Sequence, residues 1–454
     1  MEIIMNYYSV VNTVVIVLYL IMAMMTVHFA FFAIVGLFKK KTFPKTDKRL
    51  KYGIIIPARN EENVVAALVE SVKKNNYPQD KLHVFVIAHN CTDNTARIAR
   101  EAGATVYEYN NSGECTMGYA FKYLFARIKE DYGIENYDGF FLFNADNILD
   151  REYFNKMNDA FVYYDRKSVI TSFRNSKNFG SNPISAMYGL YFAIGCRFES
   201  RGRSVLGCST RVQGTGYVIN SELVRDEWPY VTLTEDWEFT ADRVINDTPI
   251  VFCDEAVFYD EQPVSMGIMW RQRLRWSKGH LLVCLTRLFD IIKALFKPAS
   301  RGGAKRKFSV YDIGVNILPL CVVTVGVTVL KHVLFLLSPL FGLSLKEVYA
   351  EYLGSFWIMY VVGYVMTCIS AILLYIIEKN RIPKMSLGLK IATVLLWPVF
   401  LLVSFPAEVV AVFKRNIGWK PIPHDDKTTF DHLNKCEGEA EEKDTADEED
   451  KVNK

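Results

Sequence analysis

Two short clusters hold residue types suited to chemistry on a charged substrate. The first is Thr234-Glu235-Asp236, two adjacent carboxylates in a stretch rich in Trp and Tyr; the second, further on, is Gln272-Arg273-Leu274-Arg275-Trp276. Adjacent carboxylates raise each other's pKa and burial adds to the effect, so one of the pair is suited to act as a general base. Gln272, Arg275 and Trp276 fall at i, i+3 and i+4, which places them on one helix face. There Arg275 takes a diphosphate oxygen, Trp276 stacks on a sugar, and Gln272 bonds hydroxyls or phosphate. Apolar segments follow. This order points to an active site at the mouth of a membrane domain, handling an anionic substrate and a large acceptor. An interfacial Arg/Trp belt explains any one of these residues, but not the set in this order.

Four earlier segments sit where a nucleotide-binding sheet presents its ligands. Pro57-Ala58-Arg59-Asn60-Glu61 follows a short apolar run, and its composition also suits a plain turn. Cys91-Thr92-Asp93-Asn94-Thr95 holds the same place after a second run, with Asp93 readable as a site residue or as a helix cap. Asn144-Ala145-Asp146-Asn147 follows Phe140 to Phe143, so a buried strand delivers a carboxylate to the sheet edge. Asp146 suits Mg²⁺ or Mn²⁺ bound across a diphosphate, since hard cations prefer oxygen ligands; the alternative is again a capping Asp. Gln213-Gly214-Thr215-Gly216 gives two glycines for close backbone approach, or a tight turn.

The elements that must position these groups alternate. Residues 52–57, 82–88, 105–109 and 139–143 read as strands, and 60–74, 93–102 and 117–129 as helices, the first with acids in its opening turn. The expected fold class is α/β, a mostly parallel sheet with ligands at the C-terminal strand ends.

The 454 residues carry a formal charge of +3, unevenly spread. Residues 437–454 hold nine acids and three bases, which predicts a disordered acidic tail over 436–454. The basic excess flanks apolar segments, at Lys39-Lys40-Lys41, Lys45, Lys48-Arg49 and over 297–307. That placement favours membrane topology and anionic lipid over nucleic acid, which is not expected as a partner. Residues 8–38 lack Lys, Arg, Asp and Glu and exceed the ~20 needed to cross a bilayer. The expected organisation is a transmembrane helix in 1–40, a cytoplasmic domain over 41–280, an interfacial amphipathic helix in 281–300, and a C-terminal membrane region over 310–420. Spanning candidates there are 315–337, 355–377 and 389–413. Three spans would leave the bases at 414–420 on the wrong side for the charge rule, unless Pro398 and Pro406 fold the last into a re-entrant hairpin. The nine cysteines and seven histidines show no zinc spacing, and His424 and His432 stand alone.

Over residues 51–280 and the flanking apolar segments, the chain resembles the membrane-embedded family-2 glycosyltransferases, which include cellulose, chitin and hyaluronan synthases. The Gln-x-x-Arg-Trp pentapeptide after Thr-Glu-Asp carries the resemblance most specifically, supported by the 57–61 loop, Asp93, Asp146 and Gly214-Thr215-Gly216. The resemblance implies a glycosyltransferase-A-like domain that uses a nucleoside-diphosphate sugar, with UDP and N-acetylglucosamine or glucose foremost. It places Pro57, Arg59, Glu61, His89, Asp93, Asn144 and Gly214 on the nucleotide side and metal–diphosphate on Asp146. Asp236 becomes the base beside Glu235, and Gln272, Arg275 and Trp276 line the acceptor and diphosphate site. The partners implied are a saccharide or lipid acceptor and the bilayer, with the membrane helices contributing a path for the product. Three positions depart from the pattern: His89 and Asn144 stand where acids are common, and Met117 where a Gly-Lys-Gly-like loop is common. Each loss of charge-assisted binding costs roughly one to a few kcal/mol. The readings left open are polymer synthesis, single-sugar transfer to a lipid, and a catalytically weak membrane partner.

Overall fold

The computed structural model describes residues 2–298, 303–415, 417 and 421–433; the acidic tail lies outside the described residues. In chain order, α1 (Glu2–Phe38) precedes β1 (Tyr52–Ala58), α2 (Val65–Lys73), β2 (Leu82–His89), α3 (Thr95–Glu101), β3 (Thr105–Tyr109), α4 (Met117–Asp131) and β4 (Gly139–Leu142). Then come β5 (Ile148–Leu149), α5 (Tyr153–Tyr163), β6 (Val169–Ser176), α6 (Pro183–Ile194), α7 (Arg201–Leu206), β7 (Tyr217–Asn220), α8 (Glu235–Ile245) and β8 (Ile250–Asp260). The remaining helices are α9 (Met266–Phe296), α10 (Gly303–Ile317), α11 (Leu320–Leu336), α12 (Leu345–Ile377), α13 (Leu387–Leu402) and α14 (Ser404–Phe413).

The strands form one sheet in the order β3-β2-β1-β4-β7-β6-β8-β5. Pairings among β3, β2, β1 and β4 and between β6 and β8 are parallel, while β7 runs antiparallel to both β4 and β6. The central strands are buried on both faces, which is why they read as continuous apolar runs. One face packs on α4, α8 and α9 through Phe121, Leu124, Trp228, Phe239 and Val283. The other packs on α2 and α5 through Leu68, Val72, Phe154 and Phe161.

Two helices begin later than the sequence suggests, for a shared reason. Asn60 takes a left-handed φ of 59°, and the 60–62 loop bonds across to the 92–95 loop instead of starting a helix. Glu61 N donates to Thr95 Oγ1 at 2.8 Å, and Glu62 N to Asp93 Oδ2 at 3.2 Å. The acids expected in a first helical turn therefore sit in a loop. A third expectation also changes. The segment 281–296 is no separate element: Ser265 caps α9 by accepting from Ile268 N, and no proline interrupts the helix before Pro298. Its second half exposes Leu285, Phe289, Ile292 and Phe296 as a stripe.

Among the described residues, three segments are long and apolar enough to cross a membrane: Ser9–Phe38, Tyr360–Ile377 and Leu387–Phe413. The helix pair α10 and α11 is bent by 58° at its junction, beside Pro319. Pro398 and Pro406 lie within Leu387–Phe413 without folding it into a hairpin. Contacts order these segments. Helices α10 and α11 run along α1 away from the sheet, from Asp312–His28 (2.8 Å) in α10 through Tyr19–Thr328 (3.0 Å) to a cluster of Val11, Phe335 and Val348. Helix α12 starts at that distant cluster and returns, so that Glu378 pairs with Arg197 at 2.9 Å and Arg381 with Asp254. The last apolar segment starts beside Gly180, packs Phe400 on Tyr188, and ends with Ala411 O accepting from Lys278 Nζ at 3.1 Å. It begins and finishes on the α/β domain.

Labelling reads this out directly. In a background without accessible thiols, Leu340→Cys, between α11 and α12, should react with an impermeant maleimide from the side opposite to Lys427→Cys. Labelling of both from one side would exclude this path.

Candidate active site

The C-terminal ends of β1, β2, β4, β6 and β8 and the start of antiparallel β7 meet at one sheet edge. Two joined cavities open there. The smaller, about 130 Å³, is lined by Pro57, Arg59, Glu61, His89, Asn144 and Asp146, together with Arg174, Glu261 and His424. The larger, about 390 Å³, is lined by Gly214, Glu235, Asp236, Trp237 and Trp276. Met117, Asn144, Arg174, Gln272 and Arg275 line both and form the joint. Asp93 lines neither. Its Oδ1 accepts from Thr95 N at 3.1 Å and its Oδ2 from Glu62 N, which ties the two loops together ahead of α3, whose N-cap position is Asn94. Gly214 stands on the larger cavity instead of the nucleotide side, where a Cβ would lie 3.5 Å from Asp236 Oδ2.

The local folding explains the placement. Gly216 has φ +68°, and a Cβ there would meet the Phe258 ring at 2.1 Å, so only glycine lets this turn reach the sheet. Gly279 lets α9 press against Thr234, whose Cγ2 would lie 2.4 Å from an added Cβ. Arg273 anchors α9 from behind: its guanidinium lies over Tyr191 (4.4 Å), Phe400 (4.7 Å) and Tyr188 (5.2 Å). Arg275 then donates to Leu233 O at 3.2 Å, beside both carboxylates.

Burial, reinforced by its neighbour Asp236, pushes the Glu235 carboxyl up to about 8. Burial also raises Asp236, opposed by the Trp237 N–H and by Arg275, Arg211 and Arg174. The pair cannot readily carry two charges. Both carboxyls are thus raised, and Glu235, at about 8, holds its proton at neutral pH.

On the nucleotide side, Asp146 Oδ2 accepts from Glu261 N at 2.8 Å and Oδ1 from Asn147 Nδ2 at 3.1 Å. Asn144 Oδ1 is buried and has no partner. His89 Nε2 lies 2.7 Å from Glu114 O; a carbonyl only accepts, so Nε2 carries the hydrogen and Nδ1 is the ring's acceptor. Burial lowers the His89 pKa, which keeps the ring neutral.

His424 does not stand alone as expected from its isolation in sequence. The segment 421–433 crosses the smaller cavity like a strap, bringing His424 Nδ1 to 2.8 Å from Glu61 Oε2. Glu261 accepts from Asp425 N and Asp426 N, both at 3.0 Å, and Lys74 pairs with Asp431 at 2.7 Å. Burial alone would lower His424; Asp146, Glu61 and Glu261 outweigh it and raise the imidazole to about 9. Glu61 is itself raised, by burial against the pull of His424. Arg174, Arg211, Glu261 and His280 also line the site unforeseen. A charged residue inside the fully buried run 169–176 was the available signal for Arg174. Nothing local marks His424, which reaches the site from beyond all the membrane-facing helices.

The model of the glycosyltransferase-like family 2 matches residues 49–279, just over half of the chain. The chain is a family-2 glycosyltransferase. This glycosyltransferase is 23% identical over 386 residues to the probable glycosyltransferase YdaM of Bacillus subtilis, covering 81% of this chain and 86% of that one. It is 22% identical over 270 residues to the poly-beta-1,6-N-acetyl-D-glucosamine synthase of Staphylococcus epidermidis, covering 56% and 61%. Its fold matches the mannosyltransferase PcManGT of Pyrobaculum calidifontis, solved with GDP-Man and Mn2+, at a TM-score of 0.55 and 12% identity, covering 88% and 99%.

The Glu235 shift sets a stability test. A carboxyl raised in the folded state stabilises below its unfolded pKa, about 4.3, and that contribution is lost as pH rises through about 8. Glu235→Gln should therefore melt above the parent at pH 9, by about 2–4 °C per kcal/mol recovered, with the gap closing towards pH 5. A gap that is constant across pH would show that Glu235 ionises normally.

Proposed function

We propose that this glycosyltransferase moves N-acetylglucosamine or glucose from a UDP-sugar to a saccharide acceptor at a membrane, with inversion, as one step of polysaccharide synthesis. The observation that carries this reading is the placement of Asp236 on the acceptor-side cavity, among Arg275, Arg211 and Arg174, with Gln272 and Arg275 at the joint to the nucleotide side. Asp236 takes the proton of the acceptor hydroxyl as that oxygen attacks the anomeric carbon. The C–O bond to the diphosphate breaks on the opposite face, and the electron pair leaves with the diphosphate. One displacement inverts the centre, so no second carboxylate is needed as nucleophile. Glu235, protonated, keeps the field around its neighbour from becoming prohibitive.

Negative charge grows on the leaving diphosphate, and catalysis requires it to be met by groups already in place. Arg275 and Arg174 line both cavities, and α4 begins there at Met117, so the N–H groups of its first turn supplement the cation that Met117 lacks. His89 Nδ1 is an acceptor suited to the N3–H of uracil, a role that its neutral ring fills without a carboxylate. For Mg²⁺ or Mn²⁺, Asp146 and the orphaned Asn144 Oδ1 are hard oxygen donors on the same cavity. Among the described residues no group of three His, Cys, Asp or Glu converges as a self-sufficient site. The donor set thus fits a cation shared with the substrate's phosphates, where it would neutralise the leaving group's charge. The bases that follow α1 favour a catalytic domain on the cytoplasmic side.

Purified full-length protein with a panel of UDP-sugars, a saccharide primer and Mn²⁺ should release UDP. Asp236→Asn should lower kcat about 10²–10⁴-fold; unchanged UDP release in that variant, or none with any donor, removes the assignment. Asp146→Asn should raise the Mn²⁺ concentration for half-maximal rate about tenfold or more, and an unmoved metal titration would take the cation out of the scheme.

A further inference from the structure

The larger cavity continues past Asp236 to a wall made by the helices that follow the domain. Gln272, Trp276 and His280 occupy i, i+4 and i+8 of α9, a single face about 12 Å long, and all three line this cavity. Beyond Trp276 the lining passes to His280, to Asn316 of α10, and to Glu408 of α14. Trp237 lines the same end, its indole stacked on the His280 ring at 4.5 Å and 22°.

Hydrogen bonding gives this end a definite chemistry. Gln272 Oε1, His280 Nε2 and Glu408 Oε2 are all buried and all without a partner. The His280 ring bonds the Asn316 backbone, and burial pushes it down to about 4, so it is neutral with one nitrogen left as an acceptor. The three orphaned atoms are therefore acceptors along one wall. Leaving them buried and unmatched is unfavourable. An acyl chain would leave them so. A ring bearing several hydroxyl donors and an apolar C–H face satisfies the acceptors and covers the indole. Glu408 is held by the Cys321 side chain and the Val322 backbone, and its Oε2 is the oxygen left for the cavity.

We propose that the His280–Glu408 end of this cavity is a second acceptor subsite, which holds the penultimate sugar of a saccharide acceptor through hydroxyls donated to those two side chains. The inference rests on the sugar-transfer reading and specifies its acceptor as a glycan of two or more units. Trp276 lies under the sugar that receives the transfer, and Trp237 beside the sugar behind it.

The test compares primers of one and two units on the full chain in detergent: N-acetylglucosamine against its β-1,4 and β-1,6 disaccharides, and glucose against cellobiose and gentiobiose. The parent should use at least one disaccharide about tenfold better in kcat/KM than its monosaccharide. Glu408→Ala should bring that ratio to about one through the disaccharide KM, with kcat little changed, and Glu408→Gln, which keeps an acceptor oxygen, should retain part of it. A parent ratio near one for every pair overturns the subsite, as does a ratio that Glu408→Ala leaves intact. Tryptophan fluorescence titration with the same disaccharides needs no turnover and separates the two claims. Disaccharide binding that is sensitive to Glu408→Ala without UDP release sinks the transferase reading alone; UDP release with disaccharide binding insensitive to it sinks the subsite alone.

Discussion

Burying two adjacent carboxylates is the constraint around which the rest of this protein is arranged. Glu235 is 6% exposed, Asp236 is half-buried, and both line the cavity. The arrangement is tolerable because one carboxyl keeps its proton and the other sits among Arg275, Arg211 and Arg174. Helix α9 must lie close enough to deliver Arg275, and that closeness depends on a glycine at position 279. The aromatic cage on Arg273 fixes the same helix from its other side. Electrostatics and packing thus impose one position on α9, and Gln272 and Trp276 inherit it.

The same helix joins the α/β domain to the apolar helices. Its first half lines the site, its second half exposes an apolar stripe, and no break separates the two. The return of α12 and the path of α13 and α14 along the domain reinforce this, through Glu378–Arg197, Phe400–Tyr188 and Ala411–Lys278. Domain and membrane-facing region share one packed cluster, in which Tyr188, Phe192, Trp397 and Phe400 meet.

Much of this was legible because it is local. The alternating strands and helices, the carboxylate pair and the i, i+3, i+4 face of α9 follow from periodicity and short-range spacing. What escaped was set by tertiary contact. Asn60 and Asp93 were drawn into bonds between two loops, which delayed two helices and took Asp93 off the cavity. The path of the C-terminal segments escaped because hydropathy measures length and composition, and Leu387–Phe413 has both properties of a span while lying along the domain. His424 escaped most completely: its partners Glu61, Asp146 and Glu261 are far from it in sequence, and an isolated histidine carries no pattern.

The cavity wall has a division of origin with a consequence for how such a protein changes. Its chemical floor, Asp236, Arg275 and Trp276, comes from the segment shared with the family, residues 49–279. Its far side, Asn316, Ser404 and Glu408, and the strap bearing His424 come from residues beyond that segment. The domain cut out alone would keep its reactive carboxylate but lose a wall and a roof. Conversely, substitutions confined to α10 and α14 can redraw what the cavity accepts while leaving the transfer machinery untouched, so new acceptors are reachable without rebuilding the catalyst.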